Sequence, residues 1–128
     1  MKIYNMNGKS ILVIDDDMSV LESIDFILTS EGYVVFLAAN GEDGLNFVKN
    51  QHIDIVILDL KMPKVSGYVF ANLVNQQSIN KDIKIMVLTG QSLLAGSCHL
   101  TLPNVVSKMS KPFDIEELKQ NVLSLVAA

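Results

Sequence analysis

The chain has 128 residues, 49% of them hydrophobic, and a net charge of −4 at pH 7. That length suits one domain with a single sizeable core, and the composition excludes a disordered tail. The negative balance and the lack of any Lys or Arg run argue against nucleic acid as a partner.

Residues 1–9 read as a loosely attached arm. "ILVI" (11–14) is the first strand, and it ends on Asp15, Asp16 and Asp17. A helix is expected from Ser19 to Glu31, with Val20, Ile24, Ile27 and Leu28 on one face. Ser19 and Glu22 have capping-box spacing, and Gly32 is placed to stop the helix. "YVVFL" (33–37) is the second strand. A shorter helix follows from Asn40 to Lys49, with Leu45 and Val48 inward. "IDIVIL" (53–58) is the third strand, and it ends on Asp59. A third helix spans Ser66 to Gln77, with Val69, Phe70, Leu73 and Val74 apolar. "IKIMVL" (83–88) is the fourth strand. From Gln91 to Leu102 a short or distorted helix is expected, because Gly96 interrupts it and Pro103 ends it. "NVVSKM" (104–109) is a weaker fifth strand. A last helix starts at Asp114, with Glu117 three residues on, and buries Ile115, Leu118, Val122 and Leu125.

Three of the strands are near-continuous aliphatic runs, as strands covered on both faces should be. Strand and helix alternate five times. That order predicts an α/β fold: one parallel sheet with helices on both faces, joined by right-handed crossovers. No repeat or linker divides residues 10–128. Cys98 stands alone, which excludes an internal disulfide, and it reads as a small buried hydrophobe. No apolar run reaches the roughly 18 residues of a membrane span, and the start of the chain is not a signal peptide. The expected location is the cytoplasm, without membrane contact.

In such a sheet, ligands bind beyond the carboxyl ends of the strands. That rim collects Asp15, Asp16 and Asp17 after the first strand, Asp59 after the third, Thr89 after the fourth and Lys111 after the fifth. Crowded carboxylates need a counter-charge. An all-oxygen set favours Mg2+, with Mn2+ as a substitute, and no His or Cys is present at the rim to favour zinc. A cation there prepares the rim for a phosphoryl group, with Asp59 as nucleophile and an acyl phosphate as product. Pro112 would fix the turn that presents Lys111, and a cis peptide is open to it. Taken singly, these residues read as ordinary turn, cap or solvated side chains. Asp17 in particular suits a helix cap. His52 and His99 read as surface residues, and the methionines as core filler. The combination at the ends of four different strands carries the functional reading.

At this point the chain resembles a known family. "ILVIDDD", "DIVILDLKMPKVSG", "IMVLTG" and "SKPF" are similar to the receiver domain of two-component response regulators, in the same order and with matching gaps. The resemblance implies a (βα)5 flavodoxin-like domain. It also implies a switch phosphorylated by a sensor histidine kinase or a histidine phosphotransfer protein. By position, Asp59 is then the phosphoacceptor. Asp15, Asp16, Asp59 and the main-chain carbonyl of Lys61 bind the metal. Thr89 is the hydroxyl that moves toward the phosphoryl group, and Lys111 pairs with it. Pro63 and Gly67 match the loop after the acceptor, and Lys61 and Gln91 influence how long the acyl phosphate lasts. The domain is a stand-alone regulator or the receiver part of a larger protein. It acts on a protein target, with phosphorylation-dependent homodimerisation open to it.

Three departures from the family pattern concern output. Lys108 stands where an aromatic residue is usual, "PNVVS" replaces an acidic turn, and Gly96 sits in the fourth helix. These point to an altered or partner-specific output through Thr89 and residue 108. Three rivals are weaker. An aspartyl-phosphate phosphatase would want an acid at Lys61, and a flavin or nucleotide module would want a glycine-rich loop in place of "DDDMS". A phosphate-blind scaffold would not need the complete site. The protein is therefore expected not to be an enzyme beyond its own phosphorylation and dephosphorylation.

Overall fold

The computed structural model describes residues 9–59, 70, 71, 74, 82–90 and 104–127. Five strands form one parallel sheet: β1 (Ser10–Ile14), β2 (Val34–Ala38), β3 (Ile55–Leu58), β4 (Lys84–Thr89) and β5 (Val105–Ser110). Their order is β2-β1-β3-β4-β5, so the expected fold is borne out. Three described helices are complete: α1 (Met18–Ser30), α2 (Gly41–Asn50) and α3 (Ile115–Ala127). Phe70, Ala71 and Val74 are helical and buried, within the expected third helix. The expected helix over 91–102, all of the expected arm over 1–9 except Lys9, and Lys61, Pro63, Gly67, Gln91, Cys98 and His99 lie outside the described residues.

β1 and β3 are central and buried along their whole length. Side chains alternate across a strand, so each run feeds two cores. Leu12, Ile14, Val56 and Leu58 pack under α2 and Phe70, while Ile11, Val13, Ile55 and Ile57 pack under α1 and α3. That double cover explains the aliphatic runs. It also leaves the strand tips as the place where polar groups can reach water.

The sequence offers two caps for α1, and the structure takes Asp17 as expected of it, not Ser19: the Asp17 Oδ1 accepts from the Ser19 N–H at 2.9 Å and the Ser19 hydroxyl at 2.6 Å. The Ser19–Glu22 capping box does not form, because the carboxylate two residues earlier takes both donors. These bonds, the Ser19 hydroxyl first, hold the Asp17 pKa below the usual 3.8. Gly32 stops α1 with φ 97°, a left-handed conformation that suits glycine. Asn40, the expected first residue of the second helix, is its N-cap. Asp114 caps α3 by accepting from the Glu116 N–H at 3.0 Å.

Two expected core positions are exposed. Ile115 begins α3 one turn before Leu118, outside the buried stripe, and Met18 starts α1 at the rim. Met86 and Met109 are buried, as expected of core methionines, and Met18 is not. His52 is on the surface, where its Nε2 meets Asp54 Oδ1 at 2.9 Å. No helix among the described residues is long and apolar enough to cross a membrane.

Candidate functional site

The rim is assembled by backbone bonds at the strand tips. Asp59 N–H donates to the Ile14 carbonyl at 3.0 Å, and Asp15 N–H donates to the Ala38 carbonyl at 3.1 Å. The tips of β3, β1 and β2 are thereby locked side by side, and the acids that follow them share one depression. Carboxylate oxygens of Asp15, Asp16 and Asp59 all lie within 4.8 Å of one another. Asp15 and Asp59 are buried, while Asp16 faces solvent.

Lys111 directly follows the end of β5 and is itself followed by a cis Lys111–Pro112 peptide. Its Nζ lies 2.6 Å from Asp15 Oδ2 and 3.5 Å from Asp59 Oδ2. Burial alone would lower the lysine pKa, but the hydrogen bond and charge of Asp15, helped by Asp59, outweigh it and hold the pKa above the ordinary 10.5. Asp15 is held from its other side as well, because its Oδ1 accepts from the Asp17 N–H at 2.9 Å. The nearest acid to the lysine is therefore Asp15, a pairing that the residue pattern alone does not reveal.

Three carboxylates against one ammonium leave an excess of negative charge. A hard divalent cation fits that donor set: the ligands are all oxygen, closely spaced, and one is open to water. Thr89 closes β4 and pairs in register with Ser110, next to Lys111 in the chain. Lys108 lies on β5 opposite Val87 and is exposed. The structure thus brings Asp15, Asp16, Asp59 and Lys111 together and sets the main chain of Thr89 at the same rim. Lys61 is not among the described residues.

Residues 11–123 match the family model described as the response regulator receiver domain. The chain belongs to this family. Receiver domains are phosphorylation-dependent signalling switches of two-component systems, and so is this one. Among solved structures, the response regulator TrrA of Thermotoga maritima, in complex with Mg(2+)-BeF, is 35% identical with a TM-score of 0.79, covering 91% of this chain and 98% of that one. A putative response regulator from Chloroflexus aurantiacus is 29% identical with a TM-score of 0.85, covering 94% and 98%. Sporulation initiation phosphotransferase F of Bacillus subtilis is 29% identical over 91% of this receiver and 93% of its own length. The probable transcriptional regulator ycf27 of Cyanophora paradoxa is 33% identical over 94% of this receiver. The chain spans about half the length of such transcriptional relatives, 49% in that case.

Proposed function

We propose that Asp59 is the residue this receiver phosphorylates, taking the phosphoryl group from a phosphohistidine on a sensor kinase or a phosphotransfer protein. The observation that carries the assignment is the position of Asp59, buried at the tip of a central strand, within reach of two further acids and one lysine. Asp15, Asp16, Asp59 and the main-chain carbonyl of Lys61 would hold Mg2+, or Mn2+ in its place. When bound, the cation supplies positive charge that offsets the phosphoryl oxygens. The Thermotoga relative in complex with Mg(2+)-BeF supports that choice.

The Asp59 carboxylate attacks phosphorus. The P–O bond forms as the P–N bond to histidine breaks, and histidine leaves with the electron pair and takes a proton. Lys111 starts within 3.5 Å of the acceptor oxygen and turns to the new charge. Thr89 supplies a hydroxyl donor. The added charge biases two pre-existing states of the rim and of the face around β5 and α3. There Val106 and Ile115 are both 50% exposed, and Lys108 replaces the usual aromatic side chain, so partner choice rather than an inward aromatic swing carries the output. The domain turns over no external substrate and works in the cytoplasm through a protein target, with no nucleic acid bound by this domain.

Acetyl phosphate with Mg2+ tests the reading. The wild type should gain one phosphoryl group, and chelation or Asp59→Asn should abolish the gain. Equal labelling of that variant would remove Asp59 from the role.

A further inference from the structure

The chain holds two Asn-Gly pairs, Asn7–Gly8 and Asn40–Gly41, and the second begins α2 just beyond the tip of β2. An Asn-Gly pair carries its own chemistry. The glycine nitrogen, once deprotonated, attacks the side-chain amide carbon of the asparagine. A C–N bond forms to close a five-membered succinimide ring. The bond to the amide nitrogen breaks, and that nitrogen takes a proton from water and leaves as ammonia. One water then adds at either ring carbonyl and opens the ring to aspartate or to isoaspartate. Glycine favours the attack, because it has no Cβ to crowd the ring or restrict the main chain.

Asn40 stands two residues beyond Ala38, whose carbonyl accepts from the Asp15 N–H at 3.1 Å and so joins the tip of β2 to the acidic rim. Asn40 is half-buried, and Gly41 after it is buried. As the N-cap of α2, Asn40 has an extended main chain, with φ −159° and ψ 169°. Its Oδ1 accepts from the Asp43 N–H at 2.8 Å, and its Nδ2 donates to Asp43 Oδ2 at 3.3 Å. Both ends of the amide are thus held over the first turn of the helix. To close the ring, the amide carbon must swing onto the Gly41 nitrogen, which breaks both bonds. That nitrogen must also meet a base, and its burial keeps base away. While the turn is closed, the reaction is restrained on both counts.

We propose that Asn40 is a site of spontaneous deamidation whose rate is set by opening of the first turn of α2. Gly41 and Gly44 both fall in the first four residues of this helix. Glycine is a poor helix former, so this end opens more readily than the rest. The open turn frees the amide and exposes the Gly41 nitrogen together, so one motion removes both restraints. The two products then diverge. Aspartate keeps a capping oxygen and adds one negative charge at a helix N-terminus, where negative charge is favourable. Isoaspartate puts an extra methylene into the main chain and attaches its carboxylate at Cα, so the cap is lost. The turn next to the Asp15–Ala38 bond therefore survives the first product and loosens in the second.

Peptide mapping by mass spectrometry tests the proposal, on the full chain held at mildly alkaline pH with and without urea. Aspartate and isoaspartate at position 40 are separated by chromatography, and the map keeps them apart from any change at Asn7. Asn40 should convert in both samples, about tenfold or more slowly in the folded chain, since only the open fraction reacts. Asp43→Ala removes the Nδ2 partner and a favourable charge in the first turn. It should raise the folded-state rate several-fold and leave the rate in urea unchanged, with circular dichroism finding the variant folded. A folded chain that converts at Asn40 as fast as the chain in urea would overturn the proposal. So would a folded-state rate indifferent to Asp43→Ala, or an Asn40 that stays intact in the folded chain long after the chain in urea has fully reacted.

Discussion

Replacing Lys111 with methionine keeps most of the side-chain volume and removes the ammonium. Its Nζ stands 2.6 Å from Asp15 and 3.5 Å from Asp59, and both acids are nearly inaccessible to water. Removing one partner of a buried ion pair costs about 3–5 kcal/mol, because a charge is left behind without compensation. Lys111 itself is 21% exposed, so some water already screens it, and the lower end, about 3 kcal/mol, is the better figure. For a chain of this size, that loss lowers Tm by roughly 10 °C. A cation should narrow the gap between variant and wild type, since in the variant it meets no ammonium at Asp15. At about 100 times Kd, a ligand of the native state adds about 2.7 kcal/mol, comparable to the loss. Thermal unfolding followed by circular dichroism at pH 7, with chelator and then with Mg2+, reads both effects. A chelated variant that melts within about 2 °C of the wild type would refute the view that the lysine neutralises the acids at rest.

Other outcomes follow from packing and charge elsewhere. A Cβ on Gly44 would collide with the side chain of Ile14 and sit 3.2 Å from Phe70, so Gly44→Ala should destabilise by about 1–3 kcal/mol, seen as a lower urea midpoint with an unchanged slope. Asp54 accepts from the Ser10 N–H at 2.8 Å and faces His52. Burial alone would raise the Asp54 pKa, but those bonds win and hold it below 3.8. A lowered carboxylate pKa contributes stability that is present above 3.8 and lost as pH falls through the folded-state value. Urea midpoints taken from pH 5 downward should therefore fall less steeply in Asp54→Asn than in the wild type, and equal slopes would count against it. Lys84 Nζ donates to the Leu125 carbonyl at 2.6 Å, closing the end of α3. Lys84→Met should cost about 1 kcal/mol, with faster amide exchange in the last turn of α3 as the local sign.

Much of the site was legible because burial and chemistry conflict at the strand tips. A run such as Ile55–Leu58 must be apolar to lie between two cores, so an acid immediately after it falls at the first place where a charge can stand. Lys111 could be assigned to the same rim from strand order alone. Its choice between Asp15 and Asp59 could not, since that depends on side-chain distances of an ångström. The sequence offers both Asp17 and Ser19 as caps of α1, and only the folded turn, with the Ser19 hydroxyl donating to the Asp17 carboxylate, decides for Asp17. Ile115 fits the apolar spacing of α3, yet the stripe becomes buried only from Leu118. A bulge at Val106 and a groove beside β2 left no mark in the residue pattern, because both arise from how neighbouring elements meet.

In the proposed function, the acid that ends β3, Asp59, receives the phosphoryl group. Borohydride reduces an acyl phosphate to an alcohol and so marks the residue that carried it. The receiver should be incubated with acetyl phosphate and Mg2+, reduced, digested and mapped by mass spectrometry. Homoserine in place of Asp59, and nowhere else, is the predicted result. Homoserine at Asp15, Asp16 or Asp17, or a phosphoryl group that resists borohydride, would contradict it.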